Sequence, residues 1–309
     1  MTIEWRGVFP AVTTQIRADL TIGLADTQRV VDGLIEDGVD GVIALGTVGE
    51  NNSLTFDEKR SVLTAIVEVV DGRVPVVTGV SEFDTRRAVS WARAAETAGA
   101  DGLMLLPPMV YVPTSVELAA HFAGVASATG LPIMLYNNPP AYRTAIDPEV
   151  LVMLVDTPNI VAIKESSPDT RRFTDLLNGF GDRFVLFAGL DDVALEAMYL
   201  GARGWVSGLT NAFPRESVEM VRALQQGDHG KAKAIYRWFM PLLHLDAEHD
   251  LVQSIKLAEQ VMGRGSERVL PPRYALTGAR RAEVIAMVER AAATRPTLAT
   301  TPVAVGAAA

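Results

Sequence analysis

No cysteine occurs in the 309 residues, so disulfides, thiolate metal sites and cysteine nucleophiles are excluded. Histidine is scarce: His121, His229, His244 and His249 are the four, and none ends an apolar run that reads as a strand. No apolar stretch reaches the roughly 18 residues that a membrane span needs. The opening MTIEWRGVFP has neither a basic segment nor an apolar core, so no secretion signal is expected and a cytoplasmic location is. No Gly-rich dinucleotide fingerprint follows any candidate strand. Neither a cofactor nor a metal is therefore expected. Positive charge is in deficit, 28 Lys and Arg against 37 Asp and Glu, for a formal net charge of −9. Such a surface argues against nucleic acid or an anionic membrane as partner. It leaves room for a small anionic substrate, because local charges in a pocket override the net.

What is abundant is apolar. Hydrophobic residues make up 49% of the chain and mean hydropathy is +0.19. Eight short apolar runs alternate with amphipathic stretches: 8–14, 41–46, 74–80, 102–108, 132–137, 160–166, 184–189 and 204–209. Each run is continuous rather than strictly alternating, as expected of parallel strands covered on both faces. Between them, Leu63, Ile66, Val67 and Val70 fall at helical spacing, as do Ala88, Trp91, Ala92 and Ala95. DGVDG (37–41) and AGADG (98–102) repeat one device, a glycine ending a helix and another before the next strand. Eight such units predict a (β/α)8 TIM barrel over 1–227. After Gly227 the strands stop, and 228–245, 250–262 and 280–293 read as a C-terminal helical extension. Residues 294–309, rich in Ala, Thr and Pro, are expected to form a flexible tail.

A barrel of this kind works at the C-terminal ends of its strands. The polar residues there are Thr13, Thr14, Thr47, Glu50, Ser81, Glu82, Tyr136, Asn137, Glu165, Ser166, Asp191, Asp192, Ser207 and Asn211, with one lysine, Lys164. Alternation along 160–166 puts Ala162, Lys164 and Ser166 inside, and turns Glu165 toward the helices for an ion pair or cap. Lys164 is either a core lysine paired to a carboxylate or an amine nucleophile. Desolvation lowers an amine's pKa and supplies the neutral form that attacks a carbonyl. Tyr136 ends the neighbouring strand, as a proton shuttle or simply a rim aromatic. The turn GTVGEN (46–51) offers backbone N–H groups suited to a carboxylate. GLDD (189–192) carries two carboxylates that would repel phosphate, and HLDAEHD (244–250) reads as a solvated or packing segment rather than a metal cluster.

GTVGEN, YNNP, AIKES and GLDD, in that order, resemble the dihydrodipicolinate synthase / N-acetylneuraminate lyase family of class I aldolases. The resemblance spans the barrel and extension. It implies a Schiff-base lysine at Lys164, a catalytic tyrosine at Tyr136 and a relay hydroxyl at Thr47. It further implies substrate contacts at Val48, Gly49, Gly189, Asp191, Val206 and Ser207, and a homotetramer built as a dimer of dimers. Three departures stand out. Val48 replaces a second hydroxyl residue. Val110 falls where the synthases carry a tyrosine that enters the partner's site, with Tyr111 one place late. Ala141 falls where they carry a substrate-binding arginine, with Arg143 two places on. Together with LPPMVY, PIMLYNNP and WFMPLLHLD, these point to the subgroup of 1-pyrroline-4-hydroxy-2-carboxylate deaminases of hydroxyproline breakdown. The expected substrate is then a small 2-oxo acid or its cyclic imine. An aldolase or dehydratase on a 2-keto-3-deoxy sugar acid is the next reading, with dihydrodipicolinate synthase below it and a non-catalytic binding barrel last.

Overall fold

The computed structural model describes residues 3–109 and 111–297. Eight strands form one parallel sheet: β1 (Gly7–Pro10), β2 (Val42–Ala44), β3 (Val76–Val80), β4 (Gly102–Leu105), β5 (Ile133–Asn137), β6 (Ile160–Glu165), β7 (Val185–Ala188) and β8 (Gly204–Ser207). From β2 onward each strand pairs with its successor, and β1 pairs with β8. A parallel bridge between Ala11 and Ile43 joins β1 to β2 and brings the ring to closure. The (β/α)8 TIM barrel expected from the alternation is therefore present, in eight strands that are each shorter than their apolar runs. The trimmed ends are the loops that carry polar side chains at the mouth.

Around the ring lie α1 (Leu24–Glu36), α2 (Phe56–Val70), α3 (Thr85–Thr97), α4 (Ser115–Ala126), the short α5 (Pro139–Tyr142), α6 (Pro148–Leu154), α7 (Arg171–Phe180), α8 (Ala194–Tyr199) and α9 (Pro214–Gln225). Their starts are written in the sequence. Thr55 with Glu58, and Thr114 with Glu117, form reciprocal capping boxes for α2 and α4. Asp84 caps α3 by accepting the Arg87 N–H at 2.9 Å. The helices lay Val, Leu, Ala and Trp91 on strands whose two faces are both buried, which explains the unbroken apolar runs.

The extension consists of α10 (His229–Ala247), α11 (Leu251–Val261) and α12 (Gly278–Ala293). A polar clamp fastens it to the barrel. Lys256 Nζ donates to Glu50 Oε1 at 2.7 Å and to the Thr14 carbonyl at 2.9 Å, and the Leu270 N–H donates to Glu50 Oε2 at 2.8 Å. Glu50 thus serves the fold, although its place after β2 had made it a candidate at the mouth. Near the end of the described residues Arg295 pairs with Glu216 at 3.1 Å, while the part of the expected tail beyond 297 lies outside them.

Candidate active site

Strands β5 and β6 run in a register that sets Tyr136 beside Lys164 and Asn137 beside Glu165. Period-two alternation sends the two pairs opposite ways. Glu165 is fully buried on the helix side, where Asn137 Nδ2 donates to both its oxygens at 2.8 Å and Arg172 Nε to one at 2.9 Å. Tyr136 and Lys164 turn into a cavity at the barrel mouth. Thr47, Val48, Gly189 and Val206 share its wall. Gly49, Asp191 and Ser207 lie outside that lining.

Those three have other work. The Asp191 carboxylate accepts from Trp205 Nε1 at 2.9 Å, Ser207 Oγ at 3.1 Å and the Leu209 N–H at 2.9 Å, which fastens the loop after β7 to the one after β8. Ser207 Oγ also receives the Thr210 N–H at 3.1 Å. Gly49 is pressed against backbone, and its carbonyl accepts from Thr14 Oγ1 at 2.8 Å.

Lys164 is 6% exposed, and its Nζ has no hydrogen-bond or ion-pair partner among the described residues. It lies over the face of Tyr136, 3.9 Å from the ring centroid. Burial pushes its amine below the ordinary lysine range, against the opposing pull of the Asp246 and Asp191 carboxyls. A lower pKa means more neutral amine near neutrality, the form that attacks carbonyl carbon. Gly189 makes room for it: a Cβ there would stand 2.9 Å from both Cγ and Cε of Lys164 and 2.1 Å from Ser166 Oγ. Its place at the wall is thus a spacer's.

Tyr136 accepts from Asn138 Nδ2 at 3.0 Å. Burial pushes its phenol up to about 12, so it holds its proton at neutral pH and is poised to give it. The ring meets Tyr142 edge to face, with centroids 5.6 Å apart. The Tyr142 hydroxyl is in turn 2.8 Å from Thr47 Oγ1. Tyr142 ends α5, which opens on two prolines and is capped by Asn138 accepting the Ala141 N–H at 3.1 Å. Three hydroxyls, Tyr136, Tyr142 and Thr47, therefore gather within one chain. The sequence reading missed Tyr142. Tyr111 points elsewhere, 57% exposed, and donates to Glu117 at 3.0 Å. Val110 lies outside the described residues.

The turn that carries Thr47 and Val48 is strained at both ends. Leu45 and Glu50 hold left-handed φ values of 54° and 55°, a conformation that costs a non-glycine residue about 1–3 kcal/mol. Asn51 Nδ2 locks it by donating to the Leu45 carbonyl at 2.8 Å. Arg143 is exposed and takes no part in the lining. Among the described residues, the charged groups in the cavity wall are Lys164 and Asp246. Asp246 comes from α10, within the segment read as solvated or packing, and that reading is corrected here. Its signal was available: Asp246 follows Phe239, Leu242 and Leu243 at spacings of seven, four and three, on the helix's buried stripe.

With this geometry in place, the relatives can be weighed. The chain is 37% identical over 303 residues to a 4-hydroxy-tetrahydrodipicolinate synthase of Acidobacterium capsulatum, covering 97% of this chain and 99% of the relative. It is 32% identical over 261 residues to the enzyme of that name from Methanocaldococcus jannaschii, covering 84% and 89%. Among solved structures, YagE, a prophage protein of the dihydrodipicolinic acid synthase family from E. coli K12 in complex with pyruvate, superposes with a TM-score of 0.89 at 28% identity, covering 94% and 99%. The Acinetobacter baumannii dihydrodipicolinate synthase complexed with pyruvate gives 0.88 at 27%, covering 93% and 99%.

These relatives overturn the deaminase expectation and its ranking of the synthase below it, since the curated relatives at 32–37% identity carry the synthase name. Of the three departures that had favoured the deaminase, the missing partner tyrosine weighs less than it did, because Tyr142 supplies from the same chain a hydroxyl bonded to Thr47. Enzymes of the family are Schiff-base lyases that act on small molecules and are typically oligomeric. Among the described residues, no helix is long and apolar enough to cross a membrane. The profile of the dihydrodipicolinate synthetase family matches residues 4–291, and the chain belongs to that family.

Proposed function

We propose that this chain condenses pyruvate with an aldehyde through an imine on Lys164, as a 4-hydroxy-tetrahydrodipicolinate synthase. The observation that carries the reading is the unpaired, buried Lys164 amine held 3.9 Å over the Tyr136 ring. The product that names the relatives is a six-membered ring with one nitrogen, bearing two carboxylates, with seven carbons in all. Its hydroxyl marks the former aldehyde carbon. Cutting the bond from that carbon toward the ring's C=N leaves pyruvate and 2-amino-4-oxobutanoate, with the loss of one water in the forward direction.

Neutral Lys164 attacks the pyruvate keto carbon to give a carbinolamine. Tyr136 gives its proton to the departing hydroxyl, water leaves, and a cationic imine faces a tyrosinate. That tyrosinate removes a proton from the methyl carbon, and the electron pair moves to the iminium nitrogen. The resulting enamine attacks the aldehyde, whose oxygen takes the proton back from Tyr136. The substrate's own amine then adds to the imine carbon and displaces Lys164 as neutral amine, and the ring nitrogen returns its proton to Tyr136, so one water is lost overall. Tyr142 and Thr47 pass protons between Tyr136 and the mouth. Backbone N–H groups of the turn at Thr47 and Val48 hold the pyruvate carboxylate, with the Val48 and Val206 side chains as apolar walls. The proposed assembly is a homotetramer, to be read by light scattering. Exposed Tyr111, Val112 and Val116 offer an apolar face to bury.

Borohydride reduction in the presence of pyruvate, read by intact mass and peptide mapping, tests this directly. The expected result is one adduct on Lys164, none in Lys164→Ala, and turnover when 2-amino-4-oxobutanoate is added. An unmodified wild type would remove the proposal.

A further inference from the structure

The carboxylate in the cavity wall comes from outside the barrel. Asp246 lies in the last turn of α10, and its Oδ1 fills the space in front of Gly208, 2.5 Å from where a Cβ on that glycine would stand. No side-chain donor bonds it among the described residues. Asp191, its neighbour, is saturated by three donors. Asp246 therefore keeps acceptor capacity toward the cavity it shares with Lys164.

A buried cation without a counter-charge is costly. Imine formation places one here: as water leaves the carbinolamine, the nitrogen keeps one hydrogen and a full positive charge. Lys164 has no carboxylate within 4.0 Å among the described residues, so nothing in its immediate contact layer supplies that compensation. We propose that Asp246 is the counter-charge for the cation formed on Lys164, holding the imine in its protonated, electron-withdrawing form. The inference rests on the pyruvate reading of this site. The groups facing this pair are Tyr136 and Tyr142 from the β5 side and Asp191 and Asp192 from the loop after β7. Of the carboxylates, Asp191 is spent on its three donors and Asp192 bonds His244 at 3.0 Å. Burial holds the Asp246 carboxyl above the ordinary range and the charge of Lys164 draws it back down, the mutual dependence expected of such a pair. Asp246 acts through Lys164 and is in that sense a positioning residue.

The test compares wild type, Asp246→Asn and Asp246→Glu in two arms. The first follows carbamylation of Lys164 by cyanate against pH, by peptide mass. Losing the carboxylate disfavours the charged amine, so in D246N the profile is expected to move down by about one pH unit. The rate near neutrality then rises about tenfold, and D246E stays near wild type. Lys256, fully buried elsewhere, should remain unreactive in every variant and reports loss of fold. If D246N exposes Lys256, Asp246→Ser takes its place. The second arm traps pyruvate with cyanoborohydride, which reduces only the protonated imine. In D246N the alkaline limb should fall about one unit earlier. Overlapping profiles, or shifts toward higher pH, would overturn the proposal. The cyanate arm uses no pyruvate, so failure of the pyruvate reading and failure of the counter-charge are seen separately.

Discussion

Lys256 and Lys164 are both buried, 0% and 6% exposed, and burial pushes both amines below the ordinary lysine range. Their surroundings differ. Lys256 donates to Glu50 and to the Thr14 carbonyl, so its charge is matched and its protons are used. Lys59, also buried, follows the same pattern, 2.6 Å from Glu82. Lys164 has an aromatic face, a glycine spacer and no ion pair among the described residues. A buried lysine kept for structure comes with its acid in contact. One kept for chemistry is held where its charge is poorly compensated, because the same lack of compensation yields neutral amine.

Substituting each lysine by methionine is the sharpest way to break this comparison. Lys164→Met should lower kcat/KM by on the order of 10⁴-fold or more, as expected when a covalent nucleophile is removed. Its denaturation midpoint should hold or rise, since an unmatched amine leaves the interior. Lys256→Met should do the reverse. It strands the buried Glu50 carboxylate and should cost about 3–5 kcal/mol of stability, with activity kept in whatever fraction stays folded. Urea denaturation and steady-state rates on the two variants decide it. Equal stability losses would show that both lysines serve the fold.

A smaller effect sharpens the pocket's side of the contrast. Tyr142→Phe removes the hydroxyl 2.8 Å from Thr47 Oγ1. A lost proton-transfer group of this kind is expected to lower kcat about 10²-fold, while borohydride still traps pyruvate on Lys164. Thr47→Val should cost about the same, and the double variant little more than either alone, because the two hydroxyls act as one path. Additive losses in that cycle would dissolve the path.

How far the sequence led differs between the same two regions. The barrel was legible because a strand buried on both faces can only be written as a continuous apolar run, and eight such runs leave few alternatives. Lys164 stood out for the same reason, as a charge inside such a run. Tyr142 did not: it lies six residues beyond Tyr136, and what returns it to the site is the tight helix 139–142, a matter of loop geometry rather than of period. Asp246 was hidden more deeply. Its neighbours in HLDAEHD look solvated, and His244 and His249 are indeed exposed. Only the packing of α10 over the mouth turns this one acid inward. The Lys256–Glu50 pair spans 206 positions of sequence, and no local pattern marks it.

The clamp also contains a titration of its own, and it yields the smallest of the expected effects. Glu259 accepts from Thr13 Oγ1 at 2.8 Å and from Gln15 Nε2 at 3.2 Å, and burial pushes its carboxyl up to about 7. The folded chain thus favours the neutral acid, whereas the unfolded chain ionises near the ordinary glutamate value. Between those two values the folded state binds more protons, so this group's contribution is full at acid pH and is lost as pH rises through about 7. Glu259→Gln keeps a neutral group of the same shape with an acceptor for Thr13. It should match wild type near the ordinary glutamate pKa and exceed it by a few degrees of Tm in mildly alkaline solution. Melting curves of the two proteins across that range check it. Parallel curves would mean that Lys256 already holds Glu259 ionised in the folded chain, and the clamp would then be a fully charged triad of Glu50, Lys256 and Glu259.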